Sequence, residues 1–180
     1  MGPTPTIGKF AAGNAFVGKY LKTDGTDGIL GWGRAWPYAA SAMKGYVKYR
    51  PAAVDRIGDG CPAECTRGMT DNGIIYVALV DGTLQDYEGQ QYPQIVKTKA
   101  SGRQLFSKDQ DNVIAYGEVV FTANTPGEDM VPFEIKLNYK SGRENEKPAY
   151  IIVVASASRW GDYFSGGNST MWIDDFEMVY

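Results

Sequence analysis

The nine residues VPFEIKLNY, positions 131–139, decide the fold class. Val131, Phe133, Ile135, Leu137 and Tyr139 alternate with Pro132, Glu134, Lys136 and Asn138. Successive side chains on a strand point to opposite faces, so a period of two means one face buried and one wet. Met43–Arg50 repeats the pattern. Met43, Gly45, Val47 and Tyr49 share one face, and Lys44, Tyr46, Lys48 and Arg50 share the other. Pro51 then ends the ladder because it has no N–H to donate.

Outward from these two segments, Ile74–Val80 and Tyr150–Ala155 are unbroken apolar runs rich in β-branched residues. They predict central strands covered on both faces. Asn14–Leu21, Gly28–Trp36, Asn112–Ala123 and Thr170–Tyr180 bring the set to about eight strands. Asp24-Gly25, Asp27-Gly28, Asp59-Gly60, Asn72-Gly73, Asp81-Gly82 and Ser141-Gly142 supply turns between them. The long loops are Pro51–Asn72, Gly82–Ile95 and Ser156–Ser169. The pattern predicts an all-β chain: a two-sheet antiparallel β-sandwich of jelly-roll type.

Thr170–Tyr180 changes phase. Met171 and Ile173 are apolar at odd positions, whereas Phe176, Met178 and Tyr180 are apolar at even ones. A β-bulge at Asp174-Asp175 would return both sets to one face.

The chain has 180 residues, 43% of them hydrophobic, and a formal net charge of −3. That suits a single domain, 1–180, with residues 1–8 expected to be flexible. No basic footprint for nucleic acid is present. No apolar run is long enough for a transmembrane helix, and MGPTPTIGKF is not a signal peptide. The absence of histidine excludes Ser-His-Asp and Cys-His catalysis and any His-ligated metal.

The stretch ASASRWGDYFSGGNSTMWIDDFEMVY, 155–180, resembles the closing signature of the putative carbohydrate metabolism domain of Bacteroidetes cell-surface proteins. MKGYVKYRP, IIYVALVDG and VIAYGEVVF follow that family's order, so the resemblance runs from about Gly8 to Tyr180. WIDDFEM by itself recurs in jelly-roll carbohydrate-binding modules. The resemblance implies a carbohydrate-binding-module-like jelly roll, export to the cell surface or periplasm, and a site for an oligo- or polysaccharide in glycan capture or utilisation. Family members often carry an immunoglobulin-like domain ahead of the jelly roll. This chain starts too late to include one, so it is expected to be an isolated domain of a native protein that carries an N-terminal immunoglobulin-like domain. The Asp59–Arg67 segment with its cysteines departs from the family pattern.

Sugar recognition needs aromatic faces against pyranose C–H groups and planar polar groups for the hydroxyls. In the loop Arg159–Asn168, Trp160, Asp162 and Tyr163 offer both, although Tyr163 and Phe164 would equally plug the end of the sandwich, and Asp162 would equally hold the loop. Trp32, Arg34 and Trp36 are expected to share a face, either an exposed glycan platform or core packing. Asp81 is a ligand candidate beside a long loop, or a turn aspartate. A glycoside hydrolase would need a carboxylate pair. Glu118, flanked by Tyr116, Val119, Val120 and Phe121, is expected to sit in an apolar setting that raises its pKa, and Asp81 is the other candidate. Glu134 reads as solvated. No catalytic residue is assigned, and a structural or adhesin module without a sugar site stays open.

Similar terminal aspartates bind structural calcium in related modules, so Asp174 and Asp175 are candidates for Ca2+, with backbone carbonyls and a residue such as Asn14 completing the shell. The alternative is that they serve the bulge. Export favours a Cys61–Cys65 disulfide, against two free thiols in a reducing compartment.

Overall fold

The computed structural model describes residues 12–180, so the expectation for residues 1–8 lies outside the described part. Strands β1 (Asn14–Phe16), β4 (Arg34–Ala35), β6 (Gly73–Val80), β10 (Val113–Phe121), β12 (Asn138–Tyr139) and β13 (Tyr150–Ser156) form a six-stranded antiparallel sheet in the order β1-β13-β6-β10-β12, with β4 also on β13. A second sheet pairs β5 (Ala42–Arg50) with β11 (Val131–Lys136) and β14 (Thr170–Val179). A third sets β3 (Asp27–Trp32) between β2 (Gly18–Asp24) and β9 (Gln94–Lys97). The hairpin of β7 (Gln85–Tyr87) and β8 (Gln90–Tyr92) completes the set, and no α-helix occurs among the described residues. The fold is an all-β antiparallel sandwich of the jelly-roll class.

The six-stranded sheet is the middle layer. Ile75, Val77 and Leu79 of β6, with Ile151 and Ala155 of β13, pack against Met43, Val47 and Ile135 of the second sheet. On the opposite face Ala78, Val80, Ile152 and Val154 lie under Trp32 and Val96 of the third. This accounts for the absence of alternation in Ile74–Val80 and Tyr150–Ala155, since both of their faces are covered. The third sheet covers only part of this outer face. Beyond it, Ile74, Tyr76 and Ser156 reach a hollow instead of a packed layer.

Three expected strands are broken, each for a local reason. VPFEIKLNY splits at Leu137: β11 pairs with β5, while β12 crosses over to β10 in the middle sheet. The alternation survives the crossing, with Ile135 and Leu137 buried and Glu134, Lys136 and Asn138 exposed. Asn14–Leu21 divides at Val17, β1 joining β13 and β2 joining β3. Gly28–Trp36 breaks at Gly33, whose φ of +105° belongs to glycine and whose Cβ, if present, would meet the Pro93 ring at 2.7 Å.

The bulge in β14 forms as expected. Its register on β5 shifts between Asp174 and Glu177, and Asp175 takes φ +50°. Met171, Ile173, Phe176 and Met178 therefore all pack on the same core.

Candidate functional site

The loop after β13 is held from below by one carboxylate. Asp71 is completely buried, and its Oδ2 accepts from the Ser158 hydroxyl (2.5 Å), the Ser169 hydroxyl (2.8 Å) and Gly167 N–H (2.9 Å). Its Oδ1 accepts from Asn72 N–H at 2.9 Å. Both ends of the loop are thus tied to the start of β6. The neighbouring loop supports it from the side, with Gly58 N–H donating to Ser165 Oγ at 2.8 Å. A 3-10 turn, Gly161–Tyr163, then lifts Trp160, Asp162 and Tyr163 to the rim of the sheet.

These three residues line a cavity of about 170 Å³ with Asn14, Ile74, Tyr76, Phe106 and Arg159. That is room for about six waters at liquid density, or one sugar ring. Tyr76 and Phe106 stack with centroids 5.6 Å apart and planes 8° off parallel, and Tyr116 lies 5.8 Å from Tyr76. The Arg159 guanidinium sits 5.0 Å from the Trp160 ring centre.

Among the described residues the Asp162 carboxyl makes no hydrogen bond, and the buried Trp160 indole N–H has no partner. Burial pushes the Asp162 pKa up to about 6, the charge of Arg103 partly opposing it. Tyr76 is raised well above the usual phenol range, first by burial and then by the charges of Asp162, Tyr116 and Glu118. Asp162 and Glu118 are therefore both felt at the Tyr76 hydroxyl. Glu118 accepts a hydrogen bond from Tyr116 Oη at 2.7 Å.

The other sequence candidates lie elsewhere. Trp32 is wholly buried beside Phe16 and Tyr76, so it is core and not a platform. The left-handed turn at Gly33 separates it from Trp36, which packs on the sandwich core on the other side of the middle sheet. The expected shared face does not form. Arg34 is exposed on β4, opposite Ile151, at the far end of β13 from the cavity. Asp81, at the far end of β6, pairs with Arg143 at 2.8 Å and accepts from Thr83 N–H, which makes it a turn and ion-pair residue. Glu118 is exposed, not enclosed by apolar neighbours, because alternation along β10 turns Val119 and Phe121 to the opposite face.

Asp174 Oδ1 accepts from Asp175 N–H at 2.9 Å, in service of the bulge. Among the described residues no group of three or more His, Cys, Asp or Glu side chains gathers at this point. Cys61 and Cys65 are free thiols, not a disulfide, and burial together with the neighbouring Cys61 pushes the Cys65 thiol up to about 12.

The sequence reasoning missed Asp71, Tyr76, Phe106 and Arg103. Tyr76 carried a signal, as the one polar-tipped ring in an otherwise aliphatic run. Asp71 carried none, since a turn aspartate and a buried anchor read alike.

A family model described as putative carbohydrate metabolism domain matches residues 2–179. Among solved structures, the fold is similar to a putative glycoside hydrolase from Bacteroides thetaiotaomicron, 20% identical with TM-score 0.58, the match covering 94% of this chain and 47% of that one. It is similar also to a putative glycoside hydrolase from Bacteroides vulgatus, 23% identical with TM-score 0.59, covering 94% of this chain and 64% of that one. The chain spans less than two thirds of either protein, and at these identities the likeness is one of fold. No curated protein matches. With the family pattern running through nearly every residue, the chain belongs to the putative carbohydrate metabolism domain family.

Proposed function

We propose that this domain binds carbohydrate in the hollow beside Asp162, as the glycan-capturing part of an exported cell-envelope protein. The observation that carries the proposal is a stacked aromatic wall meeting two polar groups that have no hydrogen-bond partner among the described residues, the Asp162 carboxyl and the Trp160 indole N–H. A pyranose supplies what each lacks: C–H faces for the rings and hydroxyls for the polar atoms. Membership of a carbohydrate metabolism family favours a sugar over other small polar ligands.

A glycan array with wild type and Trp160→Ala tests it. Wild type is expected to retain at least one glycan at μM to mM affinity, and the variant to lose it. Retention by neither protein, or equally by both, counts against the hollow as a sugar site.

One observation favours a second reading, glycoside hydrolysis. Burial gives Asp162 a raised pKa suited to a general acid, and Glu118 lies opposite Tyr76, which lines the same cavity as Asp162. Reducing-sugar release by wild type, abolished in both Asp162→Asn and Glu118→Gln, would establish that reading. Binding without release supports capture.

A further inference from the structure

On the other side of Tyr163 lies a second, larger cavity of about 580 Å³, lined by Asp27, Asp55, Arg56, Ile57, Asp59, Arg67, Arg103 and Phe164 among others. We propose that it is an acidic-sugar subsite contiguous with the first cavity, so that the recognised glycan carries a carboxylate or sulfate. The proposal rests on the carbohydrate reading of the first cavity and names the substrate class.

Three arginines reach this cavity, Arg56 and Arg67 from the Pro51–Asn72 loop and Arg103 from the segment after β9. Arg103 donates from Nη1 to Asp59 C=O at 2.6 Å and from Nε to Thr98 C=O at 3.2 Å. Arg67 donates to Asp55 C=O. The Arg56 side chain makes no hydrogen bond or ion pair among the described residues. Backbone carbonyls aim a guanidinium without neutralising it. None of the three forms an ion pair with a carboxylate among the described residues, whereas Arg143 is clamped between Asp81 and Glu146, and Arg50 lies beside Glu128. Most of the donors of a planar fork suited to carboxylate or sulfate are thus unspent.

The aspartates lining the same cavity refine the ligand class. Asp55 and Asp59 are exposed, and Asp27 is buried at the start of β3. A simple anion would meet repulsion from these carboxylates. A sugar unit bearing both an anionic group and hydroxyls would satisfy both signs of charge, its anion on the arginines and its hydroxyls donating to the exposed Asp55 and Asp59. Phe164, whose backbone is left-handed at φ +56°, also lines the wall.

Contiguity follows from the wall between the cavities. Tyr163 lines the first and Phe164 the second, and Arg103 lines the second while lying 4.9 Å from the Tyr163 ring centre. Adjacent residues thus face the two cavities, within the span of a chain of a few sugar units.

The test is an array of matched neutral, uronate-bearing and sulfated oligosaccharides, probed with wild type, Arg56→Ala/Arg67→Ala and the surface control Arg34→Ala. Wild type is expected to hold acidic members about tenfold tighter than their neutral counterparts. The double variant should fall to the neutral level on acidic glycans and keep its neutral binding, and Arg34→Ala should match wild type. The uronate and sulfate arms identify which anion the fork accepts. Neutral binding with no gain from acid, or an acid preference that survives the double substitution, overturns the subsite while leaving the first cavity intact. No retention of any glycan by wild type overturns both.

Discussion

The hydroxyl of Ser158 donates to Asp71 across 2.5 Å, both residues lying buried beneath the loop that carries Trp160 and Asp162. The same carboxylate receives Gly167, Ser169 and Asn72, so one side chain sets the height of the whole loop above the sheet. Asp71→Ala leaves these donors unpaired in a buried place and is expected to cost about 3–5 kcal/mol. Urea denaturation measures it. A loss below about 1 kcal/mol would mean that the loop is held by other contacts.

The raised pKa of Asp162 makes stability depend on pH in a defined direction. The folded group titrates at about 6, above its ordinary value of 3.8. Between those values the folded protein holds a proton that the unfolded chain has released, so stability falls as pH rises from about 4 to about 6 and levels off above. Asp162→Asn should flatten that slope. Denaturation midpoints across this range measure it, and an unchanged slope in the variant would assign the dependence to another group.

Asp81 behaves in the opposite sense. Burial alone would raise its pKa, but hydrogen bonds from Arg143 and Thr83 outweigh burial and hold it below the usual carboxylate range. Its contribution is present above the unfolded value and lost as pH falls through the lowered folded one. Arg143→Ala should cost about 1–2 kcal/mol at neutral pH, discounted for partial exposure. It should leave the glycan array unchanged, because the pair lies at the far end of β6 from the cavity. A changed array would return Asp81 to the site.

Asp175 holds φ +50° at the bulge. Glycine adopts that conformation freely, so Asp175→Gly should stabilise by a few tenths to about 1 kcal/mol, and Asp175→Val should destabilise by about 1–3 kcal/mol. Thermal melts with and without calcium separate this from metal binding. A calcium-dependent rise in Tm that Asp175→Gly abolishes would assign the carboxylates to the ion.

Much of the fold was legible because burial on one face leaves a period of two in the sequence. Met43–Arg50 and the bulge in Thr170–Tyr180 both read correctly on that ground alone. The loop residues Trp160, Asp162 and Tyr163 were legible as a concentration of rings where solvent was expected. What stayed illegible depended on pairing. Alternation along Trp32, Arg34 and Trp36 assumed a continuous strand, and only the approach of Pro93 to Gly33 reveals that the chain changes partner between them. Glu118 looked enclosed because its sequence neighbours are apolar, yet a strand sends adjacent residues to opposite faces.

The sequence by itself determined which strands have one wet face, which have none, and that the register slips in Thr170–Tyr180; it pointed to two sheets where the structure stacks a third on the middle one. Those properties are local, written in the alternation of side chains over a few residues. Only the tertiary structure decided that Tyr76, Phe106, Trp160 and Asp162 meet in one hollow while Asp81, Arg34 and Trp32 do not. That gathering depends on which strands lie side by side and how far the third sheet extends over the middle one, contacts between residues distant in the chain that no local pattern records.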